Sequence, residues 1–107
     1  MLPDLKIPWR KVDPKNAEKL ELELVREVGP QHVLFGKKAR AIAVWQDCDD
    51  VLFTLESVPP SFAVVHLTWI MKTEVDARFP SAELYPTLDD WSRRCMVPDA
   101  EDWEASE

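Results

Sequence analysis

The sequence predicts one α+β domain in the order α-β-β-β-loop-α, a three-stranded antiparallel meander with an N-terminal and a C-terminal helix. Three observations carry this. An apolar spacing of helical period lies between Asp13-Pro14 and Gly29-Pro30; three β-branched or aromatic runs alternate apolar and polar residues between positions 39 and 69; and the linkers between these runs are too short for parallel crossovers. The chain has 107 residues, 46% of them hydrophobic, enough to bury roughly 65% of the surface that the unfolded chain exposes. Residues 1–98 read as the domain and residues 99–107 as an acidic C-terminal tail.

The elements follow in order. Residues 1–12, broken by Pro3 and Pro8, are expected to be irregular. Asp13 is an N-cap with Pro14 at the first helical position, and Gly29-Pro30 is the matching stop. Ala17, Leu20, Leu24 and Val28 form the apolar stripe with Val25 beside it, Leu22 falls off it, and Lys15, Glu18, Lys19, Glu23, Arg26 and Glu27 occupy other faces. Strands are expected at Ala39–Gln46, Val51–Glu56 and Phe62–Trp69, joined by Asp47 to Asp50 and Ser57 to Ser61. Strict alternation places Ala41, Ala43, Trp45, Val51, Phe53, Leu55, Ala63, Val65, Leu67 and Trp69 on the core face. The second face, with Arg40, Ile42, Val44, Leu52, Thr54, Glu56, Phe62, Val64, His66 and Thr68, is half apolar. Residues 70–86 lack a clear period but carry enough apolar surface to cover part of it. Thr87 caps a helix bearing Leu88, Trp91 and Cys95, which Pro98 ends, and Asp99 with Asp102 is placed to cap one more turn.

Charge and composition exclude several function classes. The formal net charge is −7, but Asp99, Glu101, Asp102, Glu104 and Glu107 supply five of those charges, so 13 Lys and Arg against 15 Asp and Glu leave residues 1–98 at −2. A dense basic face for nucleic acid is missing. Gly29 and Gly36 are the only glycines, so neither G-x-G-x-x-G nor a P-loop exists. No apolar run approaches the length of about 18 residues that spans a membrane, and no signal-peptide pattern opens the chain. Cys48 and Cys95 form no C-x-x-C and read as free thiols of a reducing compartment, a bacterial or other cytosol by default.

Val65-His66-Leu67-Thr68-Trp69, followed by Tyr85-Pro86, Trp91, Cys95-Met96 and Asp99 to Trp103, resembles small bacterial single-domain proteins of about this length that carry no assigned activity. The resemblance implies a bacterial cytosolic protein and transfers no catalytic residue.

His66 is the sharpest candidate for chemistry: it lies mid-strand on the mixed face, where Glu56, Arg40 and Thr54 are expected to face it, and a His beside a carboxylate serves as a general base. A packed histidine is the competing reading. Cys48 is surrounded by carboxylates that oppose thiolate formation, and Cys95 reads as a small core residue. Tested as a Ca²⁺ loop from Asp47, the cluster Asp47, Asp49 and Asp50 fails, because Leu52 and Val58 fall where glycine and glutamate are required. No zinc spacing exists, so neither metal nor cofactor is expected. Lys37, Lys38 and Arg40, like Arg10 and Lys11, read as solvated or tail-pairing cations. Of the five tryptophans, Trp9 and Trp103 lie in terminal segments where an indole anchors packing or a partner.

The leading expectation is a non-catalytic protein-interaction module, with Trp103, Thr68 and Thr54 as candidate contacts on the acidic tail and the mixed face, and the 70–86 loop as a third surface. An immunity-like inhibitor or antitoxin is the kind of protein whose acidity suits a basic partner. The alternative is a small enzyme using His66 with Glu56 or Arg40 in a cleft under the 70–86 loop, and a third reading is a homodimer through the half-apolar sheet face.

Overall fold

Asp13 opens the first helix as its side chain dictates: Oδ1 accepts the Asn16 amide at 2.9 Å, with Pro14 in the first turn. In the computed structural model, which describes residues 4–46, 49–56 and 62–105, this helix α1 spans Pro14–Glu27. The Asp47-Cys48 turn and the Ser57–Ser61 linker lie outside the described residues.

The architecture is α+β with an antiparallel sheet and helices at both ends, as expected, but the sheet has five strands and not three. In spatial order they are β1 (Trp9–Lys11), β2 (Ala39–Trp45), β3 (Asp50–Leu55), β4 (Phe62–His66) and β5 (Ser81–Tyr85). The two additional strands are the edges. β1 is three residues long, too short to show alternation, and β5 is a five-residue alternation hidden at the end of the aperiodic stretch.

A bulge overturns the expected face assignment of β2. Ala41 pairs with Phe53 but Ala43 pairs with Leu52, so one extra residue sits on β2 and inverts everything after it. Ala41 therefore packs with Val51, Phe53, Leu55, Ala63, Val65 and Leu67 under Leu24 and Val28 of α1, whereas Ala43 and Trp45 join the opposite face. Trp69 lies beyond the end of β4 and is 41% exposed.

That opposite face is covered by the C-terminal end of the chain. Thr87 Oγ1 accepts the Asp90 amide at 3.0 Å and caps α2 (Leu88–Trp91). A π-helical turn, Ser92–Met96, leads into α3 (Val97–Ala105). The helix does not stop at Pro98: the wider π turn ahead of it separates the proline ring from the carbonyl that an α-helical turn would press against it. Trp91, Met96, Leu88 and Cys95 pack there on Trp9, Ala43, Leu52 and Tyr85.

Residues 99–105 continue α3, and Asp99 fastens it to the sheet. Its Oδ2 accepts the indole N–H of Trp9 at 2.8 Å and of Trp45 at 3.1 Å, while Trp103 meets Trp45 edge-on at 5.5 Å. Among the described residues, no helix is long and apolar enough to cross a membrane.

Candidate functional site

Helix α1 lies on the sheet by its stripe of Ala17, Leu20, Leu24 and Val28, which leaves a flank on either side. On one flank stand Glu23 and Glu27, 1% and 0% exposed. Two carboxylates one turn apart on a solvated face repel, and burying them is costlier still without donors.

The donors come from the segment between β4 and β5. Glu27 Oε1 accepts the Thr68 amide and Oε2 the Trp69 amide, each at 2.8 Å, and Glu23 Oε2 accepts the Met71 amide at 3.3 Å. The Glu27 backbone carbonyl accepts the Glu74 amide at 3.0 Å. Gly29 makes this approach feasible, since a Cβ there would stand 3.0 Å from the Glu74 carbonyl oxygen. His32 fixes the far end: its Nδ1 accepts the Leu34 amide at 3.0 Å, so its Nε2 carries the hydrogen and donates to the Pro80 carbonyl at 2.7 Å.

Burial pushes the Glu27 carboxyl above the ordinary glutamate range, and the hydrogen bond with Glu23 pushes it the same way, against the two amides that favour its charge.

The clamped backbone is strained. Trp69 and Met71 occupy the left-handed region at φ 56° and 61°, which costs a non-glycine residue about 1–2 kcal/mol each. What the strain presents is apolar: Met71 is 65% and Val75 fully exposed, with Trp69, Ile70 and Phe79 also outside. Asp76 closes the turn by accepting the Arg78 amide at 2.9 Å and the guanidinium at 2.7 Å, and that guanidinium holds the Asp76 carboxyl down to about 2.

The residues expected to perform chemistry are dispersed. His66 Nδ1 lies 2.7 Å from Asp50 Oδ1, and the register aligns Asp50, His66 and Ser81 across β3, β4 and β5. Glu56 and Arg40 form their own ion pair at 3.6 Å, at the opposite end of the sheet, where Arg40 faces Thr54. The three are therefore not brought together, because antiparallel pairing sets Thr54 against Phe62, four residues from His66. Thr54 lies half-buried between Arg40 and Phe62, Thr68 is held by its amide, and Trp103 is turned toward Trp45. Burial beside Asp99 pushes the Cys95 thiol up to about 12. No group of His, Cys, Asp and Glu suited to a metal ion occurs among the described residues.

Glu23, Glu27 and His32 escape a reading by periodicity, which places both glutamates on solvated faces. The available signal was like charge at i and i+4. No family model matches this chain, and neither does any curated protein or solved structure.

Proposed function

We propose that this chain is a non-catalytic protein-interaction module, acting in a bacterial cytoplasm, whose docking element is the apolar ridge of Trp69, Ile70, Met71, Val75 and Phe79. The observation that carries this reading is the Glu27 clamp: two buried carboxylate oxygens on consecutive amides hold a strained backbone whose outward side chains are large and apolar. A segment held for stability alone would turn those side chains inward. Strain retained beneath an exposed apolar patch is the signature of a preorganised contact. Because Lys72 and Arg78 balance Glu74 and Asp76 along the ridge, apolar complementarity outweighs charge steering in this reading. An immunity-like or antitoxin role fits it, with the partner presenting an apolar surface.

The test is a photo-crosslinking residue at position 75 in the full chain, used in native lysate beside the double variant Met71→Asp/Trp69→Ser. The expected result is one crosslinked protein, lost in the double variant while its thermal melt still matches that of the parent. Crosslinking that survives the double variant, or crosslinks only to a second copy, overturns the assignment.

The enzymatic alternative rests on the His66–Asp50 pair with Ser81 on the next strand, a row with the donor and acceptor types of a hydrolytic site. Hydrolysis of p-nitrophenyl esters that His66→Ala abolishes would favour it; equal background rates in both proteins would end it.

A further inference from the structure

The other flank of α1 stands over an open strand edge. β1 pairs with β2 only from Ala43 to Trp45, and Val12 N donating to the Ile42 carbonyl is the last bond between them. Among the described residues, Ala39 to Ala41 therefore have β3 on one side and no strand on the other. Glu56 N donates to the Lys38 carbonyl at 3.0 Å, so Lys38 faces β3, and alternation turns Ala39 and Ala41 to the open side. The side chain of Glu21 verifies this, its Oε2 accepting the Ala41 amide at 3.0 Å from that side.

A cleft of about 730 Å³ borders this edge at Ala39 and Arg40. Leu24, Val28 and Leu34 form its buried floor, and Leu22, Val25 and Phe35 its exposed rim, at 54%, 72% and 54% exposure. Lys37, Lys38 and Arg40 also line it, with the carboxylates of Glu21 and Glu56. Arg40 is engaged by Glu56 and Glu21 by the Ala41 amide, whereas Lys37 and Lys38 make no ion pair among the described residues. The cleft thus offers the outward main-chain groups of Ala39, an apolar floor and a lining with three cations against two carboxylates.

We propose that this cleft binds an extended segment of a partner protein that alternates apolar and acidic residues, added as a further strand along Ala39–Ala41. The open edge selects a peptide over an acyl chain, because only a peptide returns main-chain hydrogen bonds; the floor takes alternate apolar side chains; Lys37 and Lys38 take the carboxylates. The Glu21 carboxylate occupies the place that a strand carbonyl would take on the Ala41 amide, so the incoming strand displaces or abuts it. This surface is separate from the ridge of residues 69–79, and either assignment survives failure of the other.

The test is fluorescence anisotropy of the full chain with fluorescein-labelled Glu-Val-Glu-Leu-Glu, its Lys-Val-Lys-Leu-Lys counterpart, and two acidic peptides N-methylated on alternate amides. The acidic peptide is expected to bind at least tenfold more tightly than the basic one, and Lys37→Glu/Lys38→Glu to remove that preference. One N-methylated peptide, with its blocked amides toward β2, loses binding at least tenfold; the other, with its blocked amides toward solvent, retains it. Equal binding of both N-methylated peptides, full displacement by decanoate, or no binding by the acidic peptide at about 1 mM overturns the proposal.

Discussion

The two flanks of α1 reverse the usual rule for an amphipathic helix. On one, Glu23 and Glu27 are buried; on the other, Leu22 and Val25 are more than half exposed. Both flanks border the same stripe of Ala17, Leu20, Leu24 and Val28, so the helix itself does not set the difference. What lies opposite does. The 68–74 segment brings amides that have lost their ladder partners, and a carboxylate is the side chain that accepts two of them at once. The open edge of β2 brings alanines and a cleft, and there apolar side chains remain uncovered. Hydrophobic patterning reports what a side chain prefers, whereas burial is decided by the groups that arrive beside it. One flank is completed by this chain, and the other is left open among the described residues.

The most damaging way to test the closed flank is Glu27→Ala. It strips the acceptor from the part-buried Thr68 and Trp69 amides, and an amide left unmet costs about 1–3 kcal/mol, so a loss on the order of 3–4 kcal/mol in urea unfolding is expected. Amide exchange should accelerate at residues 68–71 before it does in β3. Glu27→Gln keeps one acceptor and should lose less. A loss under about 1 kcal/mol would mean that the segment stands without its clamp.

Asp99→Ala is expected to cost somewhat less, about 2–3 kcal/mol, since Trp45 is only partly buried and water can replace one of the two bonds. A red shift of tryptophan emission, with the far-ultraviolet dichroism of the sheet retained, would locate the damage at the docking of α3. Asp99 repeats on the second sheet face what Glu27 does on the first: one carboxylate gathers two N–H donors from elsewhere in the chain.

Neither carboxylate is visible to a reading by period. Local signals were legible where a residue acts on its immediate neighbours: Asp13-Pro14 and Thr87 start helices where they should, β2 and β4 lie inside their expected spans, and β3 begins one residue before its own. Non-local facts were not. The bulge at Ala41 to Ala43 has no glycine to announce it and moves Ala43 and Trp45 to the other face. Pro98 reads as a stop because the π turn that accommodates it has no sequence signature. The partner of His66 was recoverable, however: a linker as short as Ser57 to Ser61 sets Glu56 near Phe62 and sends His66 toward Asp50.

A smaller effect sharpens the same comparison through pH. Because the folded state raises the Glu27 pKa, it favours the protonated form. That contribution is fully present below the ordinary value of 4.5 and is lost as pH rises through the raised value, so it falls as pH climbs above 4.5. The urea midpoint of the parent minus that of Glu27→Gln should therefore decline across this window. Asp76, held near 2 by Arg78, works in the opposite direction and only at lower pH, so it leaves this window untouched. A flat difference would mean that the amides of Thr68 and Trp69 fully offset burial.

The open flank should be nearly silent in stability, and that silence is informative. Val25→Ser removes an apolar side chain that is 72% exposed and opposite no hydrogen-bonding group of its own chain, so the change expected is within about 0.5 kcal/mol. If the chain is unbound, nothing is lost when the rim of the cleft becomes polar. A cost above about 1 kcal/mol that grows with protein concentration would show Val25 already buried against a second copy. A cost of that size that is independent of concentration would mean that a segment of the same chain fills the cleft. In that event both flanks of α1 would be closed, and the asymmetry that singles out the β2 edge as a binding surface would vanish.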